Sequence, residues 1–196
     1  MDRGLARKHA FLEAARKVFL EHGYQAASVN DVVRSAGGSL ATLYLQFQNK
    51  DGLFTAVLLD QDARFTRSMA PENVDHLPLK EALCAIGERF LRALMEPENL
   101  AFFRLLIGES QHFPEAARKN VGVGAEQVRD VVSSVLRKHG LATDDDVLAS
   151  QLLELWRSRY HYRALTDPSF RLADDELKRH VARGVDVLMH GALGPR

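Results

Sequence analysis

Between Ser39 and Asp51 the chain reads SLATLYLQFQNKD. Its polar groups are two aliphatic hydroxyls (Ser39, Thr42), the phenol of Tyr44, three carboxamides (Gln46, Gln48, Asn49), one cation, Lys50, and one carboxylate, Asp51. Such groups donate and accept hydrogen bonds, but none pairs a nucleophile with a base. The rest of the chain offers catalysis little more. There is no His-Glu-x-x-His, and the lone Cys84 sits in an apolar helical stretch where an inert buried thiol is the expected state. Asp144 to Asp146 read as a helix cap rather than a metal site. We expect no enzyme, no cofactor and no metal. Recognition remains: Gln can pair with adenine in a DNA major groove, and apolar side chains can touch a thymine methyl.

Short helices must hold these groups. From Arg7 to His22 the residues Phe11, Ala14, Ala15, Val18 and Phe19 recur on one helical face, and Gly23 follows where a left-handed cap would end it. Ser28-Val29-Asn30-Asp31 is close to a capping box, with Val29, Val32, Val33 and Ala36 facing one way before Gly37 stops a second helix. Gly37-Gly38 predicts a tight turn, Ser39 a cap on a third helix, and Leu43 and Phe47 its inward edge. Asn49 caps a longer fourth helix carrying Leu53, Phe54, Val57 and Leu58. Two short helices joined by a glycine turn and braced by a first form a helix-turn-helix over about residues 28–47. Its third helix turns Ala41, Thr42, Leu45 and Gln46 outward, with Leu40 and Tyr44 at the borders.

A chain of 196 residues, 46% hydrophobic and 27% charged, buries a real core. A single cysteine excludes an intrachain disulfide, and the basic start turns amphipathic at once, without the apolar core and cleavage site of a secretory signal. No apolar run approaches the roughly 20 residues of a bilayer span. A cytoplasmic protein is expected. The zero net charge hides an asymmetry, since residues 1–50 hold seven cations and four anions, a mildly basic head of the kind phosphate binding requires.

Residues 7–58, above all SVNDVVRSAGGSLATLYLQFQNKDGLFTAVL, resemble the DNA-binding domain of the tetracycline-repressor (TetR) family of bacterial transcriptional regulators. The family pattern is met at Ala36-Gly37, Thr42-Leu43-Tyr44, Phe47 and Lys50-Asp51-Gly52-Leu53-Phe54. The resemblance implies that Thr42, Tyr44 and Lys50 bond backbone phosphates and that Ser28 caps the second helix against the DNA backbone. With Arg7, Ser39, Leu40, Ala41 and Gln46 these make the expected DNA-contacting set. Taken singly, Tyr44 also fits a half-buried core position, Lys50 a solvated helix start and Gly37-Gly38 an ordinary turn. Two departures stand out: family members commonly have Val at the position of Gly38, and often polar residues at those of Leu40 and Leu45. Recognition then falls to Gln46, Leu40, Ala41 and the basic arm around Arg3, or to DNA shape.

The remaining chain reads as a larger helical domain, so the expected fold is all-α, with a three-helix reading head over 1–50 and an effector-binding and dimerisation domain over 51–196, about nine or ten helices in all. Pro71 to Pro78 forms a linker; helices follow over about 79–95, 97–107, 113–124, 125–139, 147–165 and 174–191. RLLIGESQHFPEAARK resembles the start of a C-terminal domain in a branch of the same family, through Arg104…Glu109 and Phe113-Pro114-Glu115. In family terms that domain holds a ligand cavity and pairs with its twin through the last two long helices. Phe90, Phe102, Phe103, Leu106, Trp156 and Tyr160 are large enough to line an apolar pocket, with His112, His161 or Tyr162 as polar contacts, although ordinary core packing uses the same residues. Leu148, Leu152, Leu155 and Arg159, and Leu177, Val181, Val185 and Leu188, form two stripes that suit a homodimer interface or the interior of one chain.

The function expected is a ligand-responsive repressor: a dimer on a palindromic operator of double-stranded DNA, with half-sites about 34 to 36 Å apart or a multiple of a turn, released by an uncharged or amphipathic small molecule. Arg7, Lys8 and Lys50 would make its affinity salt-sensitive. A ligand-independent architectural DNA-binding protein is the alternative, and an all-α enzyme a remote one.

Overall fold

The structure, a computed structural model, describes residues 3–69, 74, 76–141 and 146–193. Ten α-helices run in chain order, with no strand among the described residues: α1 (Arg3–Ala26), α2 (Val29–Ala36), α3 (Leu40–Phe47), α4 (Lys50–Ser68), α5 (Leu79–Met95), α6 (Pro97–Gly108), α7 (Pro114–Lys138), α8 (Val147–Arg157), α9 (Tyr160–Thr166) and α10 (Asp174–Leu193). None of the described helices is long and apolar enough to cross a membrane. Gly23 interrupts α1 with φ 71°, where the sequence places a helix end. Residues 142–145, which include most of the Thr143–Asp146 cap expected ahead of α8, and 71–73 and 75 of the linker lie outside the described residues.

The described chain divides into two compact units, the first Met1–Arg64 with Ala101–Asn120, the second Phe65–Leu100 with Val121–Arg196. The boundary expected at 50/51 thus falls inside the first unit, which keeps most of α4 and takes in the end of α6 and the start of α7. The reason is apolar surface: Phe102, Leu106, Ala116 and Ala117 share one core with Phe11, Phe19, Val32, Leu43, Phe47 and Phe54. Aromatic edges join it, Phe113 lying 4.8 Å from Tyr24 and 4.9 Å from Phe54 between ring centroids. An ion network also ties α1 to α4, with buried Arg16 bonded to Asp60, and Arg64 to Glu13 and, at 2.7 Å, to Asp60.

In the second unit α5, α8 and α10 pack around Trp156, which is fully buried and donates its indole N–H to Val181 O at 3.3 Å. Two features differ from the sequence expectation. α7 runs unbroken through Gly122 and Gly124, where a helix end is expected. Two isolated glycines cost about 1 kcal/mol each in a helix, which the rest of a 25-residue helix absorbs. The helix expected over 147–165 instead divides into α8 and α9 at Ser158-Arg159.

Candidate nucleic-acid interface

The turn between α2 and α3 is made by glycine because its backbone requires it: Gly37 and Gly38 have φ of 72° and 104°, which side-chain-bearing residues rarely adopt. That explains the departure at Gly38, where valine would also meet Phe11 Cζ. Ser39 caps α3, its hydroxyl accepting from Thr42 N at 3.1 Å and bonding Thr42 Oγ1 at 2.9 Å. Leu43 and Phe47, one turn apart, are buried, with Phe47 edge-on to Phe11 at 6.4 Å. At the far end the chain makes a γ-turn around Gln48 (φ 67°, ψ −55°), Asn49 N donating to Phe47 O at 2.8 Å. Asn49 then caps α4, its Oδ1 accepting from Gly52 N at 2.8 Å.

The other expected contact residues divide into those that are presented and those the fold engages. Tyr44 and Leu40 stand 41% and 37% exposed, and Ala41 is exposed beside them. Lys50 Nζ bonds Gln25 O at 3.1 Å and lies 4.7 Å from the Tyr24 ring centroid, a cation over an aromatic face. Tyr24 itself donates to Asp51, and burial with that carboxylate raises its pKa well above the ordinary phenol value. Nothing local in the sequence signals this grip across 25 residues. Arg7 donates to Ala36 O at 3.1 Å, so it caps the C-terminus of α2. Ser28 is the N-cap residue of α2 in position only: its side chain makes no capping bond, and Asp31 pairs with Arg34 at 3.0 Å. Gln46 is half-buried with Oε1 enclosed, so one end of its carboxamide is withdrawn. In this conformation it lacks the two-point pairing that adenine takes. Leu45 is the most exposed, at 87%. Arg3 opens α1.

The expected pocket residues divide between the two units. Phe102 and Leu106 belong to the core of the first unit; Phe103 is half-buried. Phe90 and Trp156 pack in the core of the second, 6.4 Å between centroids. Tyr160 donates to Glu176 Oε1 at 2.7 Å and stacks on Phe170. His161 is buried, and desolvation, with Arg157 next, lowers its pKa to about 4. A cavity of about 320 Å³ lies elsewhere in that unit, walled by Met69, Val74, Ile86, Val128 and Val131, with Arg67, Arg89 and Gln127 as polar members. None of the seven expected pocket residues lines it.

The expected interface stripes are turned inward. Leu152, Leu177, Val181, Val185 and Leu188 are buried within the unit, Leu148 and Leu155 pack against the same core, and only Arg159 is exposed. A single chain consumes both stripes because α8 and α10 pack together with α5. What α10 leaves outside includes Val187, 53% exposed, and α8 leaves a shallow groove of about 530 Å³ along Ser150, Gln151, Glu154, Leu155 and Ser158.

Comparison with known proteins agrees with this architecture. Residues 11–57 match the tetR family of bacterial regulatory proteins, and residues 81–191 the C-terminal domain of AefR-like transcriptional repressors. The HTH-type transcriptional repressor ComR of Escherichia coli K12 is 49% identical over 51 residues, covering 26% of this chain and 24% of ComR. The chain thus spans about a quarter of that curated relative, and 46% of a fatty acid metabolism regulator of Bacillus subtilis, 27% identical over 90 residues and 46% of this chain. Among solved structures, a TetR-family transcriptional regulator from Mesorhizobium loti superposes with a TM-score of 0.83 at 23% identity, covering 97% of this chain and 98% of its own. With its capped α3, its glycine turn and both matched segments in place, the chain belongs to the TetR family of helix-turn-helix transcriptional regulators.

Proposed function

We propose that the protein is a homodimeric repressor that binds a palindromic DNA operator through α3 and is released by a small molecule held in the second unit. The observation that carries the DNA reading is the outward face of α3 in the matched N-terminal segment. A helix capped at both ends and anchored by Leu43 and Phe47 leaves Leu40, Ala41, Tyr44 and Leu45 outside. Tyr44 and Lys50 supply phosphate contacts on either side of that face. Ser28, its hydroxyl not spent on capping, Ser39, Thr42 and Arg7 flank it in sequence, and Gln46 joins if its carboxamide turns out. Affinity then comes from phosphates and register from the caps.

For the effector we favour the cavity beside Ile86 and Val131. Its volume sits at the low end of ligand sites, and apolar walls with Arg67 and Arg89 suit a small amphipathic molecule with a polar or anionic head. That ligand must bind the conformation that cannot span two half-sites better than the one that can; equal affinity for both would shift nothing. Pairing of two chains uses the outer faces of α8 and α10, around Gln151, Glu154 and Val187, since the inner stripes are consumed.

Selection of bound sequences from a random duplex pool at near-physiological salt tests this reading. A palindromic consensus is expected; bound DNA without any enriched sequence would favour the architectural alternative.

A further inference from the structure

The DNA-binding reading leaves open what α3 reads. We propose that the protein selects thymine at one position of each half-site by apolar contact between Leu45 and the C5-methyl group, with Ala41 beside it. This rests on the DNA-binding reading and adds its specificity.

At about 100° per residue, Leu45 projects directly away from the mean direction of Leu43 and Phe47, the two buried anchors of α3. It therefore stands at the crest of the presented face, 87% exposed. One exposed leucine on a protein surface means little. Of the polar groups around it, Thr42 Oγ1 bonds Ser39 Oγ at 2.9 Å, Gln46 Oε1 is enclosed, and Tyr44, about 100° round the helix, is assigned to phosphate. The crest of the helix is thus apolar, and the major groove offers one apolar feature, the thymine methyl; the other groups on its base edges are hydrogen-bond donors and acceptors. Placing Leu45 over a guanine or cytosine edge would desolvate a polar group and return no bond. The contact selects thymine both by burying a methyl and by penalising the alternatives.

The probe is the duplex recovered by selection, remade with deoxyuridine for single thymines. Deoxyuridine keeps every hydrogen-bonding group and removes only the methyl. In the wild-type protein, one thymine in each half-site is expected to show about fourfold weaker binding per replacement, about fifteenfold when both half-sites are changed. The Leu45→Ala protein should bind thymine and deoxyuridine duplexes alike at that position while keeping its salt dependence, since Leu45 touches no phosphate. Leu45 is exposed, so this variant should fold as the parent does. A 5-methylcytosine·guanine pair there should bind more tightly than cytosine·guanine in the wild type only.

Equal binding of thymine and deoxyuridine duplexes by the wild type would overturn the proposal, as would an undiminished penalty in Leu45→Ala. In both cases DNA binding itself stands. Absence of any duplex binding is a separate result that removes the DNA-binding reading and this inference with it.

Discussion

The α-carbon of Gly52 rests on the carbonyl oxygen of Phe47: a Cβ on Gly52 would stand 2.0 Å from that oxygen. The same oxygen accepts from Asn49 N at 2.8 Å, so it is pinned in the γ-turn that leads from α3 into α4. Gly52→Ala must open this junction, and we expect a loss of about 1–3 kcal/mol. Urea unfolding should show a lower midpoint with the slope unchanged. An alanine variant as stable as the parent would mean that the Phe47 carbonyl can swing aside.

Two glycines flank Trp156 in the second unit, and they should differ in tolerance. A Cβ on Gly87 would lie 2.6 Å from Trp156 Cε2 and 2.7 Å from Val181 Cγ1, whereas one on Gly184 would lie 3.1 Å from Trp156 Cδ1. Gly87→Ala should therefore cost about 1–3 kcal/mol, and Gly184→Ala distinctly less. Thermal unfolding of the two variants side by side decides the order, and its reversal would show that Trp156 shifts more easily away from α5 than away from α10.

Tyr44 and Lys50 should separate affinity from stability. Tyr44→Phe removes a hydroxyl from an exposed ring, so operator binding should weaken by about 1 kcal/mol with the melting temperature nearly unchanged. Lys50→Ala should reduce the slope of log affinity against log salt by about 0.9 for each lysine removed. It should also lose a little stability, about 0.5–1 kcal/mol, because the ammonium sits over Tyr24. Normal DNA binding by both variants would show that α3 and the start of α4 do not meet phosphates.

His161 gives the fold a pH dependence. Its pKa of about 4 in the folded chain lies below the ordinary 6.5, so between those values the unfolded chain holds a proton that the folded chain does not. Stability contributed by the neutral ring is full above about pH 6.5 and falls as pH drops toward 4, by roughly 3 kcal/mol in all. Urea titrations from pH 7 down to 4.5 should be steeper for the wild type than for His161→Leu. Parallel curves would mean that the imidazole takes up its proton without leaving the core.

The reading head was legible because its determinants are local. Caps at Ser39 and Asn49 act over three residues, Leu43 and Phe47 are one turn apart, and Gly37-Gly38 announces a turn through its own backbone freedom. Periodicity likewise shows that α10 has an apolar stripe. It cannot say what the stripe meets, because Leu177, Val181 and Val185 carry the same pattern whether they face a second chain or α5 and α8 of their own. That choice belongs to long-range packing, as do the transfer of Phe102 and Leu106 to the core around α3 and the walls of the cavity. The sequence by itself determined that the chain is helical, where the head's helices stop and which face of α3 is anchored. Tertiary structure decided which apolar faces are spent inside the chain and where the empty volume lies. Helix caps and periods are written in neighbouring residues, whereas burial is settled by whichever distant surfaces fit together.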